Sequence, residues 1–88
     1  MKIGADGMET RVAILSIIVE NGESTGELNS ILHEYSDFVV GRMGIPSRQR
    51  GINIISIVLD APQNEISTLS GRLGRLPGVN CKAAYAKV

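Results

Sequence analysis

Two segments of this chain, VAILSIIVE (Val12 to Glu20) and INIISIVLD (Ile52 to Asp60), are apolar at almost every position, rich in β-branched residues and closed by an acid. Such residues pack well on a pleated surface, and runs this short, bounded by polar residues, read as strands. Neither segment alternates between apolar and polar, so each strand needs cover on both faces, which places it in the middle of a sheet. Shifted by forty positions, Ser16 falls on Ser56 and Glu20 on Asp60. The chain therefore reads as two copies of one unit.

Both copies continue in the same way. After the first strand, Ser24 and Glu27 have the spacing of a capping box, in which the hydroxyl accepts from a free amide and the carboxylate reaches back. Leu28, Ile31, Leu32 and Tyr35 then recur at helical spacing. After the second strand, Pro62 suits a first helical turn, where its missing N–H costs nothing, and Ile66, Leu69, Leu73 and Leu76 form the stripe. Gly71 and Gly74 each weaken this helix by roughly 1 kcal/mol relative to alanine, which predicts that its backbone approaches something closely there. Each helix leads to a weaker strand: DFVVGRMG (Asp37 to Gly44), ended by Pro46, and VNCKAAYAKV (Val79 to Val88), after the turn LPG. Their glycine, alanine and charge suit the edges of a sheet.

Strand–helix–strand, twice over, with right-handed crossovers that put both helices on one face, gives an α+β fold. It is the ferredoxin-like (βαββαβ) split βαβ sandwich, a four-stranded antiparallel sheet with the two rich strands central. The 88 residues make one small domain, assigned to 10–88. Residues 1–9, which include MKIGADGM with its glycines and no periodicity, read as a flexible N-terminal segment. By parity, Leu15, Ile17 and Val19, with Ile55, Ile57 and Leu59, should meet the helix stripes.

Two helices cover only one face. The other should carry Val12, Ile14 and Ile18 with Ile52, Ile54 and Val58, broken only by Ser16 and Ser56. A monomer rarely exposes a contiguous apolar patch beyond ~300–600 Å². These six residues are therefore expected to form the interface of a homo-oligomer, a two-fold dimer or a tetramer built from two dimers.

The function classes thin out quickly. Formal net charge is +0, so no overall field draws the chain to nucleic acid or an anionic membrane. The central strands lack the aromatics on which RNA-binding relatives of this fold stack bases. The stretch VAILSIIV is far short of the ~20 residues of a membrane span, and the N-terminus lacks the apolar core of a signal peptide. A cytoplasmic protein without membrane or direct nucleic-acid contact is expected. Cys81 and His33 are the single cysteine and histidine, which do not make a metal site, and no cofactor is expected. The loop ENGES would repel a phosphate through Glu20 and Glu23, and no nucleophile–base pair is evident. The expectation is a protein that is not an enzyme.

Two short stretches remain as binding candidates. GRMGIPSRQRG joins the halves. Pro46 and Gly51 shape its turn, while Arg42, between Gly41 and Gly44 in a strand, suggests an anion or partner contact, since strand glycines admit a close approach. Arg48 and Arg50 join Arg42 and Gly44 as candidates. The stretch is no phosphate-binding loop of the Walker type, because no lysine followed by serine or threonine opens a helix. The second candidate is Asn21–Gly22, at the start of the first helix.

The segments RVAILSIIVEN, ILHEYSDFVVGRMGIPSRQRGINIISIVLDA and EISTLSGRLGRLPGVNCKAAYAK resemble the small proteins known as iron-only (FeFe) hydrogenase system regulators. The resemblance spans nearly all of the chain after Met8, and GRMGIP and LSGRLGRLPGV are its most specific parts. It implies an ACT-like domain within the ferredoxin-like class and a regulatory role, and it supplies no catalytic residues. The outline is also similar to the ligand-binding half of nickel-responsive repressors, but the histidine-rich metal set and the DNA-binding segment of those proteins are missing. Two expectations follow: a regulatory module acting by self-association and a protein partner or small ligand, or an ACT-like sensor of a small molecule such as an amino acid, held near Asn21 and Gly22.

Overall fold

A computed structural model of the chain describes residues 2–3 and 9–87. The elements run β1 (Lys2–Ile3), β2 (Glu9–Val19), α1 (Thr25–Glu34), β3 (Val39–Ser47), β4 (Ile52–Ala61), α2 (Gln63–Gly74) and β5 (Val79–Tyr85). The four long strands form an antiparallel sheet in the order β5-β2-β4-β3, with the two apolar strands in the middle as expected. Of the segment assigned to 1–9, residues 1 and 4–8 lie outside the described residues. Lys2 and Ile3 pair with Thr10 and Glu9, at the start of β2.

Parity in the two central strands sets the core. Leu15, Ile17, Val19, Ile57 and Leu59 are buried in one cluster with Leu28, Ile31, Leu32 and Tyr35 of α1 and its end, and with Ile66, Leu69, Leu73 and Leu76 of α2 and its end; Ile55 packs against it half-buried. Both helices thus lie on the same face. A bidentate ion pair joins them, Arg72 Nη1 to Glu34 Oε1 at 2.9 Å and Nη2 to Oε2 at 3.0 Å. The same guanidinium lies 5.7 Å from the centre of the Tyr35 ring.

Several local expectations need correction. The first cap sits at Asn21, not Ser24: a 3-10 turn over Gly22–Ser24 precedes α1, and the Asn21 side chain accepts from the Glu23 amide at 2.9 Å. Ser24 is already helical in φ and ψ, so its hydroxyl is free to donate to the Pro77 carbonyl at 2.6 Å. Pro62 stands at the cap position rather than in the first turn, and its carbonyl accepts from Glu65 and Ile66. Strand β3 begins at Val39, because Ser36–Phe38 form a 3-10 turn, and it continues through Pro46 to Ser47. An edge strand tolerates proline because an N–H facing outward has no ladder partner to lose. Nor do Gly71 and Gly74 admit another backbone. A Cβ at Gly71 would meet only the end of Arg75 at 3.5 Å, and one at Gly74 would meet nothing.

The close approach occurs at Gly78. Its φ is +71°, and a Cβ there would strike Asn21, lying 2.9 Å from the Asn21 nitrogen. The Leu76–Gly78 turn is thereby pressed onto the β2–α1 turn, where the Glu20 amide donates to the Gly78 carbonyl at 2.7 Å. Two stability outcomes are expected in denaturant unfolding. Ile57→Ala, which empties a wholly buried site, should cost about 2–5 kcal/mol. Gly78→Ala should cost more than the ~1–2 kcal/mol of left-handed backbone alone, because the methyl has no room.

Candidate functional site

Four regions hold the residues singled out in the sequence: an open cleft beside β3, the turn after β3, the β2–α1 turn, and the sheet face away from the helices. The cleft follows from register. Arg42 pairs with Ile57 and Gly44 with Ile55, so both point to the helix side of the sheet, at its outer edge. There α1 stands opposite, and Arg42 Nη2 donates to Asn29 Oδ1 at 2.9 Å. Between them lies a cleft of ≈ 240 Å³ bordered by Val19, Thr25, Leu28, Asn29, Arg42, Gly44, Ile45, Pro46, Asn53, Ile54 and Ile55. Its walls are mostly aliphatic, and its polar groups are one cation, two amides and a hydroxyl. A Cβ at Gly44 would meet no atom within 4 Å, so glycine leaves open space there rather than admitting a packed neighbour.

Arg48 and Arg50 are not brought to this cleft. They are exposed in the turn from Arg48 to Gly51 that joins β3 to β4, closed by the Arg50 amide donating to the Ser47 carbonyl at 3.3 Å and by Gly51 at φ +67°. Asn21 and Gly22 also lie outside its lining. The Asn21 side chain caps its own turn, and its Cβ faces Gly78. Asn29, Thr25 and Leu28 were not legible as site residues, because only the packing of α1 over the sheet edge puts them beside Arg42.

On the opposite sheet face, Ser16 and Ser56 are directly paired, flanked by Ile14 paired with Val58 on one side and Ile18 with Ile54 on the other. Ile14, Ile18 and Ile54 are 43%, 38% and 43% exposed, and Val12, Ile52 and Val58 are partly exposed. The register of β3 adds Met43 opposite Ser56 and Ile45 opposite Ile54, at 60% and 55% exposure. The described strand β5 contributes Asn80, Lys82 and Ala84 to the same face, so the apolar surface is continuous over β2, β4 and β3 and ends at a polar margin.

Among the described residues, the titratable groups with shifted pKa values owe the shifts to structural contacts and burial. The Cys81 thiol is pushed up by burial, against a weaker opposing effect of its contact with Ser70 at 3.7 Å, and so stays protonated. The Glu34 carboxyl is held below its ordinary range, first by its hydrogen bonds from Arg72 and also by that cation's charge. Among the described residues no cluster of three His, Cys, Asp or Glu could hold a metal ion, and no helix is long and apolar enough to cross a membrane.

Residues 11–83 match a family model, TM1266-like, with the description "Iron-only hydrogenase system regulator, putative". Among solved structures, the chain is similar to the uncharacterized protein TM1266 from Thermotoga maritima, with 35% sequence identity and a TM-score of 0.86, over 90% of this chain and 100% of that one. No curated protein matches.

One pH dependence follows from the ion pair between the helices. The pKa of Glu34 is lower folded than unfolded, so its contribution is present above the unfolded carboxylate value, near ~4.3, and is lost as pH falls through the folded value. Glu34→Gln should therefore flatten the acid limb of a stability–pH curve while leaving the slope at neutral pH unchanged.

Proposed function

This chain belongs to the TM1266-like family, and on that footing we propose that it is a non-enzymatic regulatory module of the iron-only hydrogenase system that self-associates and acts through a partner or small ligand. The family description supports the regulatory role. The observation that most supports self-association is the sheet face with Ile14, Ile18 and Ile54 open, joined by Met43 and Ile45. Apolar area is worth roughly 25 cal/mol per Å² when removed from water, before the cost of association is subtracted.

The pattern on that face favours a second copy as its cover. The serine pair sits between two apolar rungs, Ile14–Val58 and Ile18–Ile54. A two-fold axis running across the strands at the serines would lay each rung of one copy on the other rung of the second, and serines on serines. Such a self-complementary surface is what an isologous dimer requires, and two dimers can join into a tetramer. The polar margin at β5 limits the patch and suits the rim of an interface.

A second reading, a sensor of a small ligand, is favoured by the cleft beside Arg42. At the alternative place for such a ligand, the Asn21 side-chain oxygen is already taken by the Glu23 amide of its own turn and its Cβ faces Gly78, while Gly22 is exposed with open space around it.

Sedimentation equilibrium at micromolar concentration tests the assembly. A dimer or tetramer is expected, and Ile18→Glu or Ile54→Glu should give monomers with unchanged helical circular dichroism. A purely monomeric parent protein would overturn the self-association.

A further inference from the structure

The cleft between α1 and the edge strand β3 has features that the assembly surface does not explain. It opens on the helix side of the sheet, away from Ile14 and Ile18, and meets the apolar face only at Ile45 and Ile54. Its walls are formed by Val19, Leu28, Gly44 and Pro46, and its cation by Arg42. Asn29 is the partner of that guanidinium among the described residues, and the lining contains no carboxylate. An arginine beside an aliphatic hollow, with donors to spare and no acid to neutralise it, is matched by an anionic head on an apolar body. Arginine's planar fork fits a carboxylate with two parallel hydrogen bonds. The bond from Arg42 also orients the Asn29 amide: its oxygen faces the guanidinium, so its NH2 group is available as a further donor to the same anion.

Size and charge narrow the occupant. The volume of ≈ 240 Å³ is just below the ~300–1,000 Å³ usual for ligand pockets, which suits a compact small molecule. A free amino acid would bring an ammonium as well as a carboxylate. With no acid in the lining, that second charge would lose water without gaining a partner of opposite sign. We propose that this cleft binds a small monocarboxylate with a branched or aromatic apolar body, its carboxylate on Arg42 and Asn29 and its body against Val19, Leu28 and Pro46.

The test is a titration of the isotopically labelled full chain with isovalerate and phenylacetate, followed by amide chemical shifts. Saturable shifts at Asn29, Arg42 and Gly44 are expected with at least one of the two acids. The matching amide should bind at least about tenfold more weakly, as should the acid to Arg42→Gln, since a charge-assisted bond is lost in both cases; the zwitterion leucine should be weakened as much, because its ammonium loses water without gaining a partner. Arg42 is exposed, so its substitution should leave the melting temperature unchanged. Gly44→Val, at a position with ordinary φ and open space for a side chain, should fold and block binding. Absence of saturable shifts with both acids would overturn the proposal. Equal affinity for acid and amide, equal affinity for leucine, or an unchanged affinity in Arg42→Gln would do the same. Both variants should sediment like the parent protein, so failure here is distinguishable from failure of the assembly.

Discussion

The structure depends on the ladder between β2 and β4. Nine residues of β2, Arg11 to Val19, pair in unbroken antiparallel register with Ala61 to Asn53. Because both strands are aliphatic on both sides, forming this ladder creates two apolar faces at once, and each must be removed from water. The two helices bury most of one face, leaving Leu15, Ile17 and Ile57 with no exposure. The chain has no third layer among its described residues, so the cost of the second face is left to whatever the surface meets. A single ladder thus accounts both for the stability of the domain and for the surface offered outside it.

The forty-residue repeat has a geometric meaning in this ladder. Ser16 and Ser56 are equivalent in the repeat and are also directly opposed in the sheet. The approximate two-fold relating the halves therefore passes between them. The halves are also joined away from that axis, where the Gly78 turn meets the Asn21 turn through the Glu20 amide and the Ser24 hydroxyl. This second junction breaks the symmetry. It occurs at the end of α2, and the sequence has its Leu-Pro-Gly turn only there.

What could be read in the sequence was whatever period and parity determine: the central strands, the two stripes, the buried and bare sheet faces. What could not be read was set by contacts between distant segments. Ser24 and Glu27 have the spacing of a capping box, yet Ser24 is drawn to Pro77, which is far along the chain, and the cap moves to Asn21. Gly71 and Gly74 have the same composition signal as Gly78, but only Gly78 has a backbone pressed against it. Pro46 looks like the end of a strand until β3 is seen to be an edge. At the cleft, Arg42 and Gly44 were visible as an arginine and a glycine inside a strand. Their partners Asn29 and Thr25 were ordinary exposed positions of a helix, and nothing in their spacing points toward β3.

The cleft and the bare face share one rung of the ladder. Ile45 and Ile54 are paired with each other, border the cleft, and expose their side chains on the face away from the helices. Sharing a rung does not by itself couple the two surfaces. A ligand shifts an assembly equilibrium only by the difference between its affinities for the separated and assembled forms, and assembly shifts ligand affinity by the same factor. For this fold that difference has a definite place to arise. β3 is held by β4 on one side only, and its register is already broken by a bulge between Val39 and Gly41. An edge strand secured on one side can shift its outer backbone at less cost than β2 or β4, which are paired on both sides. Arg42 and Met43 are consecutive on that strand and face opposite ways, so any movement of β3 that seats an anion on Arg42 also displaces Met43 on the apolar face. Of the two long edge strands, β3 is the element that touches both surfaces through consecutive residues.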